Sequence, residues 1–488
     1  MKIYIDNHTF HYEIENLTRV FFPNEKLEVI KEIPSVLETP YIYTSFLSVN
    51  GDTADLCVEV CVSEFNDRIQ KTLSASHDNL ELEMALLLFE ELVKLTGITP
   101  PWGVLTGVRP IKLFRRLTEQ YGVEGAKNYF LDRFHVSEEK TALAAETEKN
   151  ERAILNLSGD NSFSLYISIP FCPTRCSYCS FVSAAVERTK HLIEPYVNLL
   201  CKELEETAVY VKKLGLRLES VYMGGGTPTT LSAEQIRKVL KAVSDNFDLS
   251  GCREFTVEAG RPDTITKEKL IAIKESGADR ISINPQTMND DVLRAIGRKH
   301  TAAQVTEAFK MARECGFEHI NMDLIVGLPE DTLQSFIDTL DEITELSPES
   351  ITVHTLSMKR ASNLTMNGKT LDKEEAEITS RMLTYANSKL HKCGYAPYYL
   401  YRQSRMVGNM ENTGWSKPNR EGLYNVFIMD ETHTILACGA GAVTKLKDCI
   451  SGSLERIFNY KYPYEYISSF EEILKRKKGV EVFYAEHS

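Results

Sequence analysis

The sequence has no apolar run of the ~18 residues a membrane-spanning helix needs. Its densest stretch, Met84 to Val93, is broken by Glu90 and Glu91. The first residues, Met-Lys-Ile-Tyr-Ile-Asp-Asn-His, show neither an apolar core nor a cleavage site, so no secretory signal is visible and a cytoplasmic protein is expected. Positive charge is in deficit, with 56 Lys and Arg against 69 Asp and Glu and a net charge of −13. Without long basic runs, such a chain argues against nucleic acid or an anionic membrane as its main partner. Repeats and low-complexity segments are missing too, apart from the cadence described below. With 43% hydrophobic and 26% charged residues over 488 positions, disorder, collagen and disulfide-miniprotein readings are excluded, and about three domains are expected. Eleven cysteines in a reducing compartment should be free thiols or metal ligands.

Residues 1–157 read as an N-terminal α+β extension. Tyr41–Val49 and Asp55–Phe65 are strand-like runs joined by the hairpin signal Asn50-Gly51-Asp52. Leu80–Leu95 has helical spacing, Gly-Val-Arg-Pro (107–110) leads into a second helix, and Glu138–Leu155 is helical, polar and linker-like. From 158 to 392 six short strands, Leu165–Ile169, Ser220–Met223, Glu254–Ala259, Arg280–Asn284, His319–Val326 and Ser350–Leu356, alternate with helical segments. Six βα units imply an α/β fold with a parallel sheet, doubly wound or a partial barrel, whose ligands bind at the carboxyl ends of the strands. Residues 393–488 should form a small C-terminal α+β unit with strands at Tyr395–Arg402, Gly422–Met429 and Thr434–Ala437 and a final helix at 466–478.

The sharpest chemical signal is Cys172-Pro-Thr-Arg-Cys176-Ser-Tyr-Cys179, directly after the first βα strand. Three thiolates are one too few for a closed four-cysteine site. They suit either zinc completed by a distant His or Cys, or an iron–sulfur cubane with one iron left open. Several other features read as structural. Cys57 and Cys61 share a strand face and are expected as core thiols. Cys201, Cys252, Cys315, Cys393, Cys438 and Cys449 have no mutual metal spacing. Tyr460 to Tyr466 should pack a terminal helix. Gly439-Ala-Gly441 lacks the third glycine of a dinucleotide fingerprint.

The C-x3-C-x2-C loop with Tyr178 inside it resembles the radical S-adenosylmethionine (SAM) superfamily. Six further motifs, in order, resemble the oxygen-independent coproporphyrinogen III oxidase family: Tyr-Ile-Ser-Ile-Pro-Phe-Cys (166–172), Gly-Gly-Gly-Thr-Pro-Thr (224–229), Phe-Thr-Val-Glu-Ala (255–259), Arg-Ile-Ser-Ile-Asn-Pro-Gln (280–286), Gly-Arg-Lys-His (297–300) and Asn-Met-Asp-Leu-Ile-Val-Gly-Leu-Pro (321–329). The long extension carrying Gly-Val-Arg-Pro suggests its HemZ-type branch.

This resemblance implies a partial (β/α)6 radical SAM barrel with a [4Fe–4S] cluster on Cys172, Cys176 and Cys179. It implies SAM held by Tyr166, Tyr178, Gly225, Gly226, Thr227, Glu258, Gln286, Arg298 and Asp323, with no catalytic residue beyond these. Gly224 to Gly226 would let backbone carbonyls approach the SAM ammonium where a Cβ would block them; the competing reading of the triplet is a structural turn. Reduction of SAM would release a 5′-deoxyadenosyl radical that abstracts hydrogen from a propionate of coproporphyrinogen III, ending in a vinyl group. Partners would be a tetrapyrrole (coproporphyrinogen III or heme) and a low-potential donor such as flavodoxin or ferredoxin. Arg280, Arg298, Lys299 and Arg402 are candidate propionate partners. Two departures stand out. Oxidases of the family carry another cysteine two residues after the third ligand, where this chain has Phe181. The heme-chaperone branch carries His-Asn-x-x-Tyr-Trp, which is missing; only Gly408-Asn409 and Gly414-Trp415 lie in that region. A heme-binding chaperone and another radical SAM reaction on a tetrapyrrole are therefore the alternatives.

Overall fold

The computed structural model describes all residues except 50, 51, 182, 359–361, 363–372, 404, 449 and 488. Its contacts divide the chain into two units: residues 1–145 with the described residues of 370–377 and 402–410, and the remainder. The division falls inside the polar helix that the sequence marks as a linker, upstream of the expected boundary at 157.

In the first unit, strands β1 (Lys2–Asp6), β2 (Glu28–Ile30), β3 (Tyr41–Val49), β4 (Thr53–Val62) and β5 (Phe65–Ser74) form a sheet in the order β2-β1-β3-β4-β5. β1 runs parallel to β2 and β3, and β3-β4-β5 is an antiparallel meander. The β3–β4 pairing closes from Val49 to Thr53; the Asn50-Gly51 part of the expected hairpin signal lies outside the described residues. Alternation turns Ala54, Leu56, Val58 and Val60 inward, fully buried. They face the same core as Ile14 and Leu17 of helix α1 (His11–Phe21) and Met84, Leu88 and Leu92 of α2 (Leu80–Thr96). Asn79 caps α2 by accepting from the Leu82 N–H. The expectation of core thiols holds for Cys57, which is buried, and is corrected for Cys61. Cys57 and Cys61 occupy the other face, where Arg68 Nε donates to Cys57 Sγ at 3.1 Å and Cys61 is only part-buried. Helices α3 (Pro110–Asn128) and α4 (Glu138–Leu155) follow.

The second unit opens with β6 (Ser162–Ile169), the short pair β7 (Phe171–Cys172) and β8 (Ala184–Ala185), and α5 (Val186–Leu214). Five βα repeats follow: β9 (Arg217–Gly225) with α6 (Ala233–Asn246), β10 (Glu254–Gly260) with α7 (Lys267–Glu275), β11 (Arg280–Ile283) with α8 (Asp290–Ala295) and α9 (Ala302–Glu314), β12 (His319–Val326) with α10 (Leu333–Leu346), and β13 (Ser350–Thr355) with α11 (Lys373–Lys392). All six strands are parallel and neighbours in sequence order. Capping boxes at Ser232–Gln235 and Thr301–Gln304 start α6 and α9. Along these strands every second residue, such as Ile167, Val221, Val257, Ile281, Met322 and Val353, is apolar and buried. The intervening positions are polar yet buried, and they bond to one another: Ser164 with Ser220 at 2.7 Å, Asn321 Nδ2 to Ser282 Oγ at 2.9 Å, Ser350 Oγ to Asn321 Oδ1 at 3.0 Å.

The chain after Lys392 does not form a layer of its own. β14 (Ala396–Tyr401) and β15 (Asn412–Ser416) extend the sheet antiparallel beyond β13, while β16 (Thr434–Cys438), parallel to β6, and the antiparallel β17 (Val443–Lys447) and β18 (Leu454–Phe458) extend the other end to eleven strands. The strand expected at 422–429 is helix α12 (Leu423–Asp430). Its aromatic content suits a strand, but Glu254 accepts from the Leu423 and Tyr424 N–H groups at 2.6 and 3.3 Å and so caps a helix. The expected final helix is three: α13 (Pro463–Ser468), α14 (Phe470–Lys477) and α15 (Gly479–Glu486). Among the described residues no helix is long and apolar enough to cross a membrane.

Candidate functional site

The six parallel strands end on one side of the sheet, and the cysteine loop lies there. Cys172 ends β7, whose pairing with β8 (Phe171 with Ala184, Cys172 with Ala185) closes the loop at its base. Within the loop the Cys179 N–H donates to the Cys176 carbonyl at 3.2 Å. Outside anchors hold it as well. The Ser177 N–H donates to the Ile296 carbonyl at 3.0 Å, and Arg298 Nη2 donates to the Tyr178 hydroxyl at 3.1 Å. All three thiols are free. Burial pushes Cys172 up, and Cys179 up to about 11, so a bound cation would have to displace their protons.

Each glycine of the triplet stands where a side chain has no room. A Cβ at Gly226 would meet the Phe171 carbonyl at 2.6 Å and Cys172 Sγ at 3.0 Å, and one at Gly225, where φ is +109°, the Ile169 carbonyl at 3.1 Å. At Gly224 it would meet the Tyr222 ring at 2.9 Å and the Glu258 carboxyl at 3.0 Å. The triplet thus lets β9 pack against the cysteine loop and leaves space for a Tyr222–Glu258 bond. Thr227 follows, buried, its hydroxyl 3.6 Å from Cys172 Sγ.

Glu258 lies on the inner face, accepting from the Tyr222 hydroxyl at 2.6 Å. Burial, reinforced by the Asp323 charge and opposed by the Tyr222 bond, pushes its carboxyl up to about 7. Asp323 behaves oppositely. Burial raises it, but His354, whose Nε2 lies 3.9 Å away, and Asn321, donating at 2.8 Å, outweigh that and hold it below the usual range. Tyr166 stacks on Tyr222 and on Tyr424, with centroids 6.3 and 6.1 Å apart, and the last two stack at 4.4 Å.

Gln286 sits at φ +70°, its N–H on the Asp323 carbonyl at 2.9 Å and its carbonyl accepting from Ile325. Its side-chain oxygen is buried without a hydrogen-bond partner, as is Arg298 Nε. Arg298 Nη1 donates to the Asn284 carbonyl at 2.5 Å. Burial disfavours its charge, yet Tyr178 and Cys176 beside it keep the guanidinium firmly protonated.

The structure therefore places Tyr178, Gly226, Thr227 and Arg298 against the cysteine loop, while Tyr166, Glu258, Gln286 and Asp323 form a second group on the sheet, joined through Tyr222 and the Asp323 backbone, with Gly225 in the glycine triplet between the two. One of the suggested propionate partners does not belong there. Arg280 begins β11, at the opposite end, and is spent on the Arg420 and Glu421 carbonyls and on Glu254. Arg402 lies in the first unit, over the Trp102 ring and bonded to the Leu105 and Asn409 carbonyls. Lys299 is exposed beside buried Arg298. Sequence reasoning missed Tyr222, Tyr424, Asn321, His354 and Arg261. The inward alternation of β9, β12 and β13 marks Tyr222, Asn321 and His354 in retrospect; Tyr424 and Arg261 carry no local signal.

Comparison with known proteins agrees with this geometry. Residues 166–343 match the model of the radical SAM superfamily. The chain is 35% identical over 485 residues, 97% of its own length and 96% of the other's, to a Bacillus subtilis protein named oxygen-independent coproporphyrinogen-III oxidase-like protein HemZ. It is 35% identical over 263 residues, 52% of this chain and 67% of the relative, to the B. subtilis heme chaperone HemW. In fold it matches the Escherichia coli coproporphyrinogen III oxidase HemN, a radical SAM enzyme, with a TM-score of 0.51 and 23% identity, covering 66% of this chain and 71% of that one. The cofactors of the superfamily are a [4Fe–4S] cluster and SAM. Three free thiols on one loop suit a cluster with one open iron, and the unpartnered buried Gln286 oxygen and Arg298 Nε are polar groups that fit SAM. Among the described residues no three His, Cys, Asp or Glu side chains gather closely enough for a single metal ion. By motif order, fold and near full-length identity, the chain belongs to the oxygen-independent coproporphyrinogen-III oxidase-like family of the radical SAM superfamily.

Proposed function

We infer that this protein is a cytoplasmic radical SAM enzyme of porphyrin metabolism that converts propionate side chains of coproporphyrinogen III to vinyl groups. The observation carrying this reading is the three-thiol loop at the carboxyl ends of one parallel sheet, with Gly226 packed against Cys172 and Arg298 bonded to Tyr178 inside the loop. Relatives named as coproporphyrinogen oxidases or oxidase-like support the substrate.

Cys172, Cys176 and Cys179 would hold the cluster. Bound, the cluster and SAM supply one-electron chemistry that removes hydrogen from an unactivated carbon. Glu258 and Asp323 offer acceptors for an ammonium or a ribose; the unpartnered Gln286 oxygen accepts one more donor, and Arg298 offers Nε to a carboxylate. Tyr166 and Tyr178 supply aromatic walls, and Gly225, Gly226 and Thr227 supply backbone close to Cys172. Removing hydrogen from a propionate β-carbon, followed by loss of CO2 and of one electron to an acceptor, leaves the vinyl group. Flavodoxin or ferredoxin would deliver the reducing electron.

One feature favours a second reading, a heme chaperone. Phe181, 69% exposed, stands two residues beyond Cys179 where oxidases have a cysteine, and the B. subtilis HemW shares 35% identity over half the chain.

Anaerobically reconstituted protein, given SAM, reductant and coproporphyrinogen III, should yield 5′-deoxyadenosine and protoporphyrinogen IX by mass spectrometry, both lost in Cys176→Ala. Deoxyadenosine without vinyl product would move the reading to another tetrapyrrole reaction. If a reduced, SAM-bound cluster yields neither and the protein binds heme, the chaperone reading replaces it.

A further inference from the structure

Arg261, just beyond β10 and almost wholly buried, belongs to none of the motifs that identify the family. Nε and Nη2 donate to the two Asp263 oxygens at 2.9 and 2.7 Å, a planar two-point pair. The remaining nitrogen, Nη1, reaches into the cysteine loop, donating to the Thr174 hydroxyl at 2.6 Å and to the Thr174 carbonyl at 3.4 Å. The same hydroxyl donates onward to the Gly297 carbonyl at 3.2 Å. Thr174 is the middle residue of the three between Cys172 and Cys176. A spacer that short cannot shift at its centre without moving both thiols.

His300 completes the arrangement. Its ring is buried, with neither nitrogen hydrogen-bonded, and Nδ1 lies 4.0 Å from Asp263. Burial, then the Arg298 charge, bring its pKa down to about 4. It is therefore a neutral wall that leaves the Asp263 carboxylate to Arg261.

We propose that Arg261, oriented by Asp263, is a positioning residue: through Thr174 it fixes the spacing of Cys172 and Cys176 and so determines how firmly the loop retains its iron–sulfur cluster. This rests on the reading of the three cysteines as cluster ligands. Groups that orient metal ligands at one remove commonly change retention by about 10- to 100-fold.

The test uses full-length reconstituted protein, following iron loss to a strong chelator through the cluster absorbance and the reduced cluster by electron paramagnetic resonance. Arg261→Met should lose iron about ten-fold faster and broaden the resonance, while the apo-protein melts as wild type. Thr174→Val should do the same, and the double variant should lose less than the sum of the two singles, since both remove the Arg261–Thr174 hydroxyl contact. Arg261→Lys, keeping the charge without the fork, should recover part of the retention. Wild-type retention in Arg261→Met, or additive effects of the two singles, would overturn the proposal. If Arg261→Met does not fold, Thr174→Val decides alone, its side chain being only part-buried. A Cys176→Ala protein that keeps iron like wild type would sink the ligand reading and the proposal with it; an iron-poor Cys176→Ala beside an unaffected Arg261→Met sinks only the proposal.

Discussion

Glu258 shows how one side chain couples the sheet interior to pH. Its carboxyl is raised from 4.5 to about 7 by burial first and by Asp323 second. A carboxyl raised on folding favours the protonated form. The stability it contributes is complete below about pH 4.5 and is lost as pH rises through about 7. Asp323, held low, has the opposite sign and acts only at more acidic pH. Glu258→Gln should therefore flatten the fall in apo-protein melting temperature between pH 4.5 and 7. An unchanged slope would show that the carboxyl is ionised there already. The candidate ligands Cys172, Glu258 and Asp323 could be singled out in the sequence because each lies in a distinctive motif on a strand. The Tyr222 hydroxyl that orients Glu258 was not, since only the register of β9 against β10 brings the two together.

At the scale of elements, α12 is the instructive case. Residues 423–430 read as a strand by composition, yet Glu254, distant in sequence, accepts two of its first N–H groups. Arg280, 3.8 Å from Glu254, holds the preceding turn by its carbonyls. Glu254→Ala removes the cap and leaves Arg280 buried without its counter-charge. The expected cost is about 3 kcal/mol or more, read as a lower urea midpoint at unchanged slope. The same variant should disturb the tyrosine stack, because Tyr424 sits on the first turn of this helix. A loss under about 1 kcal/mol would mean that Glu254 adds no more than an ordinary cap.

Across the second unit, the C-terminal helices are tied to the site's edge by a buried ion pair. Lys477 of α14 lies 3.1 Å from Glu203 of α5, both fully buried. Glu203 also accepts from Tyr466, Asn459 and the Gly439 N–H, each within 2.7 Å. The Gly439 turn in turn abuts the Ser168 carbonyl at the end of β6, with no room for a Cβ. Lys477→Met strands the Glu203 charge and should destabilise the fold by about 3–5 kcal/mol. Lys477→Met together with Glu203→Leu should recover part of that loss. Chemical denaturation of both proteins checks it, and equal instability of the single and double variants would place the cost in packing rather than charge.

What the sequence by itself determined is local: strand and helix periods, capping residues, and a cysteine spacing read with six ordered motifs. Together these sufficed for the fold class and the family. The tertiary structure alone decided that 423–430 is a helix, that the last strands close onto both ends of one sheet, that Arg280 serves the far end, and that Arg261 reaches Thr174. Each of these depends on groups far apart in the chain meeting through parallel register and crossover connections. Such meetings set where a buried charge or an unpaired N–H finds its partner, and no local period encodes them.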